Sequence, residues 1–232
     1  MLSKLHPTLR SALIGTLSLL ATASLAQTTI HVGPGQTYTT IQSGIDASNT
    51  GDTVLVAPGT YNENINFNGK AITVTSSGGA ASTTIDGGST GPAVTFKTGE
   101  TSASTISGFT IQHGGEFGWV PAIAAYGIGN IYVAYSSPTI INNTITLGNC
   151  WGIESWYSAP LIQNNTISAT QDPNGNCSFG GGAAIIVWGG FNGYNSQGLN
   201  SPLILGNTIE NNVESGLEGA GGNGGAGIAV WG

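Results

Sequence analysis

An internal repeat constrains the fold of this chain more than any other feature of its sequence. The stretch NIYVAYSSPTIINNTI (130–145) aligns with GIESWYSAPLIQNNTI (152–167), so that Ile140 matches Ile162. A third copy, NSPLILGNTI (200–209), follows after a step nearly twice as long, which fits two coils or one coil with an insertion. A degenerate earlier copy is STISGFTI (104–111). Self-similarity at the spacing between these copies is typical of solenoid proteins.

The spacing of two isoleucines inside the repeat predicts strands rather than helices. Ile140 and Ile145 are five positions apart, so on one straight strand they would point to opposite faces. If both are buried, a corner must lie between them at Asn142 and Asn143. The aligned asparagines would then stack as a ladder of side-chain amides, and the aligned threonines would form an outward column. The asparagines are Asn143, Asn165 and Asn207, and the threonines are Thr110, Thr144, Thr166 and Thr208.

The N-terminal segment 1–26 has the pattern of a secretory signal peptide. Lys4 and Arg10 supply a positive region, Ser11 to Ala23 is an apolar stretch too short to cross a bilayer, and the chain then reads Ser24-Leu25-Ala26. We expect cleavage before Gln27. Residues 27–232 then form a single β-helix domain that is secreted, displayed at the cell surface or held in the periplasm. No membrane insertion is expected once residues 1–26 are removed.

The charge of the mature chain excludes several partners. All 11 acidic residues follow residue 26, whereas only two of the four basic residues, Lys70 and Lys97, remain there, so the mature net charge is −9. A chain without arginine is not expected to bind nucleic acid or anionic lipid, because both require basic side chains. It would also make poor electrostatic contact with acidic sugars unless a cation bridges them.

The N-terminal part of the mature chain resembles a known family. The run TYTTIQSGIDASNTGDTVLVAPGTYNENINFNGKAITV is similar to the opening of right-handed parallel β-helix proteins of the pectin-lyase-like superfamily. The resemblance covers nearly all of residues 30–232 and implies a short capping helix with Ile41 and Ile45 inward. It is specific to the fold and not to any activity. We therefore expect an all-β, right-handed parallel β-helix, a solenoid with an N-terminal capping helix.

The other end of the repeat pattern is left open by the sequence. The chain stops at GAGIAVWG, where the repeat requires another Ser-x-Pro-x-Ile. We interpret this as a chain truncated at its C-terminus, or as an end that something else covers, because an open β-helix end exposes unpaired backbone.

The catalytic sites that the resemblance implies are not complete in this chain. Lyases of this fold use an arginine or lysine base, often with calcium, yet Lys70 and Lys97 lie in early coils without an acidic cluster. Pectin methylesterases use two aspartates and an arginine, and no arginine follows residue 26. The sequence therefore predicts no catalytic residues of the lyase or esterase type.

Glycoside hydrolysis remains the other enzymatic reading. It needs two carboxylates about 5–10 Å apart. We interpret the acids of the later coils as solvated loop charges, although carboxylates on neighbouring coils could approach each other. These acids are Glu116, Glu154, Asp172, Glu210, Glu214 and Glu218. His31 and His113 are isolated and form no metal-ligand pattern, so no metal or cofactor is expected.

Three tryptophans share a position in the repeat and form the candidate binding site. In GIESW, AIIVW and GIAVW each tryptophan comes three positions after an isoleucine, so an inward isoleucine sends Trp156, Trp188 and Trp231 outward. Flat indole faces suit the apolar faces of sugar rings, and Glu154, also outward, would bind hydroxyl groups. Alternatively, the glycine-rich stretches 189–200 and 210–227 fold over the tryptophans. Tyr135 and Tyr157 would face inward or begin the corner.

The two cysteines suggest one covalent link. The separation of Cys150 and Cys177 along the chain is close to the length of one coil, and a secreted chain matures in an oxidising environment. A disulfide between them would add about 3 kcal/mol by the loop-entropy estimate.

These features favour a protein that binds polysaccharide through an outer aromatic face. One alternative is a structural or adhesive cell-surface spacer. Another is a carbohydrate-active enzyme, of the glycoside hydrolase or lyase type, with an incomplete site in this chain. The sequence carries no signal for an oligomeric state.

Overall fold

The repeated isoleucines form parallel strands in a computed structural model that describes residues 26–115, 119–120, 125–126, 129–171, 182–189, 201–213 and 227–231. One helix, α1, spans Ile41–Ala47 in this part of the chain. The signal-peptide prediction for residues 1–26 falls almost wholly outside the described residues.

The strands are short, mostly of two to four residues. In chain order they are β1 Thr29–Val32, β2 Thr53–Val56, β3 Gly59–Asn62, β4 Ile65–Asn66, β5 Thr73–Ser76, β6 Thr83–Asp86, β7 Val94–Phe96, β8 Thr105–Ser107, β9 Thr110–Gln112, β10 Trp119–Val120, β11 Ala125–Tyr126, β12 Ile131–Ala134, β13 Thr139–Ile141, β14 Thr144–Thr146, β15 Ile153–Trp156, β16 Leu161–Gln163, β17 Thr166–Ser168, β18 Ile185–Trp188, β19 Leu203–Leu205, β20 Thr208–Glu210 and β21 Ile228–Trp231.

Three parallel sheets account for all of these strands except the antiparallel pair β10–β11. Sheet A has the order β1-β2-β5-β8-β13-β16-β19, sheet B has β3-β6-β9-β14-β17-β20, and sheet C has β4-β7-β12-β15-β18-β21. From β2 onward the described strands fall in sheets A, B and C in a fixed rotation, and β10 and β11 are the described strands that interrupt it. This arrangement is consistent with an all-β solenoid in which each round adds one strand to every sheet.

The register of the sheets explains the two repeat steps. Ile140 pairs with Ile162 across the shorter step, and Ile162 pairs with Ile204 across the longer step. Because β16 and β19 are direct neighbours, the longer step is one coil with an insertion. Loop length therefore varies between coils while the strands stay aligned.

The predicted corner and its asparagine ladder are both confirmed. Asn142 and Asn164 have left-handed backbones, with φ of 56° and 54°, and Gly206 occupies the same corner with φ of 60°. The Asn143 amide donates to Asn165 Oδ1 (3.2 Å), and the Asn165 amide donates to Asn207 Oδ1 (3.0 Å). This ladder satisfies buried polar groups beside a core whose isoleucines are fully buried.

The capping helix also forms as predicted, with Ile41 and Ile45 fully buried. At the start of α1, the Glu63 carboxylate accepts hydrogen bonds from the N–H groups of Ile41 (2.8 Å) and Gln42 (3.0 Å). Lys70 Nζ donates to three carbonyls at its end, those of Ile45, Asp46 and Ser48. Each charge matches the sign that the helix dipole favours.

No helix in the described part of the chain is long and apolar enough to cross a membrane.

Candidate functional site

The three tryptophans do form one column, as the repeat predicts. Trp156 pairs with Trp188 and Trp188 with Trp231 in adjacent strands of sheet C, and Ala134 precedes them. The Trp156 and Trp188 rings are stacked, with centroids 4.9 Å apart and planes 22° apart. The side chain of Trp231 lies outside the described residues.

The expected exposure of this column is wrong for Trp188 and Glu154. Trp188 is only 3% exposed and Glu154 is fully buried, while Trp156 is partly buried. Strand alternation sends these side chains to the outer side of sheet C, but that side is itself packed. The residues that pack there include Tyr132, Ala134, Cys150, Trp151, Ala183, Ile186 and Ala229. The alternative cover by residues 189–200 and 210–227 falls mostly outside the described residues.

Glu154 is a buried acid within this aromatic layer. Its Oε1 accepts a hydrogen bond from Trp156 Nε1, and its Oε2 accepts none of normal geometry. Burial raises the pKa of Glu154 to about 8, and the indole groups of Trp156 and Trp188 oppose this increase only in part. The carboxyl is therefore mostly neutral at pH 7 and does not face solvent to meet a sugar.

Two tyrosines follow the tryptophan column, and of these Tyr135 is exposed while Tyr157, like Trp156, is partly buried. Tyr135 and Tyr157 begin the corner after β12 and β15 with left-handed backbones, φ 51° and 43°. Tyr135 is 65% exposed, so the expectation that it could face inward is wrong and the corner expectation is confirmed. The two rings stack with centroids 5.5 Å apart and planes 5° apart, and the ring centroids of Tyr157 and Trp156 are 6.5 Å apart.

A groove of about 450 Å³ lies beside this tyrosine pair and is called the tyrosine groove below. It is lined by Gly99, Glu100, Thr101, Ser102, Tyr135, Ser136, Ser137, Tyr157, Ala159 and Leu161. Three consecutive coils contribute, so no single repeat contains the site. Its volume lies in the range of small-molecule binding pockets.

Glu100 fixes the floor of the tyrosine groove. It is only 2% exposed and accepts from Gly69 N (2.8 Å), Thr98 N (2.8 Å) and Ser136 Oγ (2.7 Å). These bonds tie the loop after β7 to the corner that carries Tyr135. The sequence analysis missed this residue, although a lone acid after a glycine, in a loop longer than its counterpart in the next coil, was a usable signal.

A second polar cluster lies on the outer side of sheet B. His113 Nδ1 and Asp86 Oδ2 are 2.9 Å apart, and Gln112 Nε2 donates to the same oxygen at 2.9 Å. Burial acts to raise the pKa of Asp86, but hydrogen bonds from Gln112, His113 and Gly88 N outweigh it and hold the pKa below its ordinary value. His113, predicted to be an isolated loop histidine, is instead a partner of this carboxylate.

The acids of the later coils, interpreted from the sequence as solvated loop charges, are not brought together among the described residues. Glu210 ends β20 in sheet B, whereas Glu154 lies in sheet C, and Glu116, Asp172, Glu214 and Glu218 are outside the described residues. Among the side chains that are described, no three of His, Cys, Asp and Glu are close enough to hold a metal ion.

The disulfide prediction can be followed from one side. Cys150 is fully buried against Trp151 and is disulfide-bonded. Cys177 lies outside the described residues, so the pairing of Cys150 with Cys177 stays a prediction.

No protein-family model, curated protein or solved structure matches this chain. Its function is therefore inferred from the geometry above.

Proposed function

We propose that this protein is a right-handed parallel β-helix of the pectin-lyase-like superfamily that is exported by residues 1–26 and binds polysaccharide. It acts outside the cytoplasm, either secreted, at the cell surface or in the periplasm. The repeat pattern, the capping helix and the rotation of the chain through three parallel sheets support the architecture.

The exposed tyrosine stack carries the binding proposal. An aromatic ring that is 65% exposed leaves a large apolar surface in water, and such surface in a groove is typical of ligand sites. Thr101, Ser102 and Ser137 line the same groove, so an apolar ring face lies beside residues with small hydrogen-bonding side chains. A sugar ring has the same two-sided character, with an apolar face and a polar rim.

The tryptophans support this site from behind. Trp156 packs against both Trp188 and Tyr157, so the buried layer holds the tyrosine pair in place. In this proposal Trp156, Trp188 and Glu154 position the groove, and Tyr135 and Tyr157 make the contact.

A rigid structural spacer is the second candidate. The asparagine ladder and the buried core would stiffen the stack of coils without any need for the tyrosine groove. A spacer does not need an exposed aromatic stack, so a requirement for Tyr135 in glycan binding distinguishes the two functions. A polysaccharide-cleaving enzyme that needs a metal cluster finds none among the described side chains.

A pull-down of residues 27–232 against a panel of plant and microbial polysaccharides tests the proposal. We expect at least one glycan to retain the protein and expect Tyr135→Ala to lose most of this retention. Val230→Ala serves as the matched control, because Val230 is a 73% exposed apolar residue on sheet C away from the groove. If the folded protein binds no glycan, or if both variants lose binding equally, the proposal is wrong and the spacer is favoured.

A further inference from the structure

The tyrosine column stops abruptly on the side of the preceding coil. Sheet C pairs Val133 with Phe96, and continuing this register places Thr98 and Gly99 beside Tyr135 and Ser136. The Gly99 N–H donates to Ser136 Oγ (3.2 Å) at this point. In the following coil, Tyr157 stacks on Tyr135. At the same position the preceding coil has Thr98 and Gly99, and no described aromatic ring continues the stack there.

The space at this position is open. A Cβ built on Gly99 meets no atom within 4 Å, and Gly99 lines the tyrosine groove together with Tyr135. The loop between β7 and β8 is longer than the corresponding loop between β12 and β13, and this longer loop forms the far wall with Ser102. The groove therefore offers a slot for one flat ring on the Tyr135 ring, at the level of the missing aromatic residue.

The charged side chain in the described lining of the groove is acidic. Glu100 contributes the only carboxyl group among the described lining residues, and no lysine or arginine is part of that lining. Lys70 Nζ is engaged by three carbonyls at the end of α1, and Lys97 does not line the groove. A ligand carboxylate would thus meet a negative charge and no cation of the lining, within a mature chain of net charge −9.

We infer that the tyrosine groove seats an uncharged sugar residue against the Tyr135 ring and discriminates against uronic acids. This inference depends on the proposed polysaccharide-binding function and names the substrate class of the same site. Electrostatic repulsion between a ligand carboxylate in the groove and the Glu100 carboxylate at its floor should reduce the affinity roughly tenfold in a partly solvated site.

Matched pairs of glycans test the inference by calorimetry on residues 27–232. Each neutral glycan retained in the pull-down is compared with the same polymer oxidised at C6, and polygalacturonate is compared with its methyl ester. We expect the uncharged member of each pair to bind about tenfold tighter or more at low salt, with a smaller ratio at high salt.

Two substitutions at Ser102, an exposed residue of the far wall, sharpen the test. Ser102→Trp should fill the slot and abolish binding of neutral glycans while the melting temperature stays unchanged. Ser102→Lys should add a cation and raise the affinity for the oxidised glycans selectively.

The outcomes separate this inference from the function on which it depends. If no member of any pair binds the folded protein, the proposed function itself is wrong. If oxidised glycans bind as well as or better than neutral ones and Tyr135→Ala abolishes that binding, the protein binds polysaccharide but the inference is overturned. It is likewise overturned if Ser102→Trp leaves neutral binding intact.

Discussion

At the scale of single residues, Glu154 shows that strand alternation predicts the side of the sheet that a side chain faces but not whether that side is exposed to solvent. Its position fixes it on the outer side of sheet C, opposite the buried Ile153 and Ser155. Sequence does not say whether that outer side is wet, because the answer depends on Trp151 and Ala183, which precede their strands and pack across it. Glu154, which the sequence predicts to bind sugar hydroxyl groups, is therefore a buried acid.

Glu154 should make the stability of the protein depend on pH. Its pKa rises from an ordinary 4.5 to about 8 on folding, so between these values the folded chain binds more protons than the unfolded chain. Stability then falls as pH rises through this window, by roughly 5 kcal/mol in total. Urea unfolding at pH 5, 7 and 9 measures this slope.

Glu154→Gln should flatten that slope, because the amide resembles the protonated acid and does not titrate. The exposed Glu210→Gln is the matched control and should leave the slope as it is in the unsubstituted protein. A slope that survives in Glu154→Gln would show that another group is responsible.

At the scale of elements, the ladder between strands was predictable from the sequence and the groove was not. Asn143, Asn165 and Asn207 recur at fixed positions, so stacking any two coils brings them together. The tyrosine groove depends instead on a difference between coils, namely the longer loop that holds Gly99 and Glu100. Repeats predict what coils share, whereas this site arises where they differ.

Asn165→Ala should destabilise the protein strongly for its small change in volume. The Asn165 side chain accepts from Asn143 N (3.0 Å) and Asn143 Nδ2 and donates to Ile140 O (2.9 Å) and Asn207 Oδ1. Its loss leaves buried groups unsatisfied, and we expect a decrease of about 2–4 kcal/mol in the free energy of unfolding.

The neighbouring residue provides the control for this experiment. Asn164 is exposed with φ of 54°, a conformation that glycine adopts easily, so Asn164→Gly should cost less than about 1 kcal/mol. Chemical denaturation of both variants decides the matter, and equal losses would mean that the ladder contributes little.

The capping helix should depend on a carboxylate from another element. Glu63 follows β3 and binds two N–H groups at the start of α1. Glu63→Ala should lower the free energy of unfolding by about 1–2 kcal/mol, since it removes both a cap and a favourable dipole interaction. Asn62 is nearby and exposed, so Asn62→Ala should lower the free energy of unfolding much less. Thermal melts of both variants measure the difference. No difference between the two variants would contradict the role of Glu63.

At the scale of the whole molecule, the stability of each coil depends on its contacts with the adjacent coils. Each repeat of a solenoid contacts only the repeats beside it. Ile162, Ile167 and Val187 are buried between two coils, whereas their register partners Ile204 and Ile209 are only partly buried and Val230 is 73% exposed, in strands that have one described neighbour each. Burial therefore falls from the middle of the stack toward β19, β20 and β21.

Hydrogen exchange should follow this gradient. The segment 139–146, with β13 and β14 between neighbours on both sides, has the same strand pattern as 203–210, with β19 and β20 at the edge of sheets A and B. Because β19 and β20 have one described neighbour each, opening their coil breaks one described interface and not two, and its amides should exchange at least about tenfold faster in native buffer. Mass spectrometry of peptides from the two segments compares them within one sample. Equal protection in both segments would mean that the coils open together, and the nearest-neighbour account of this molecule would then be wrong.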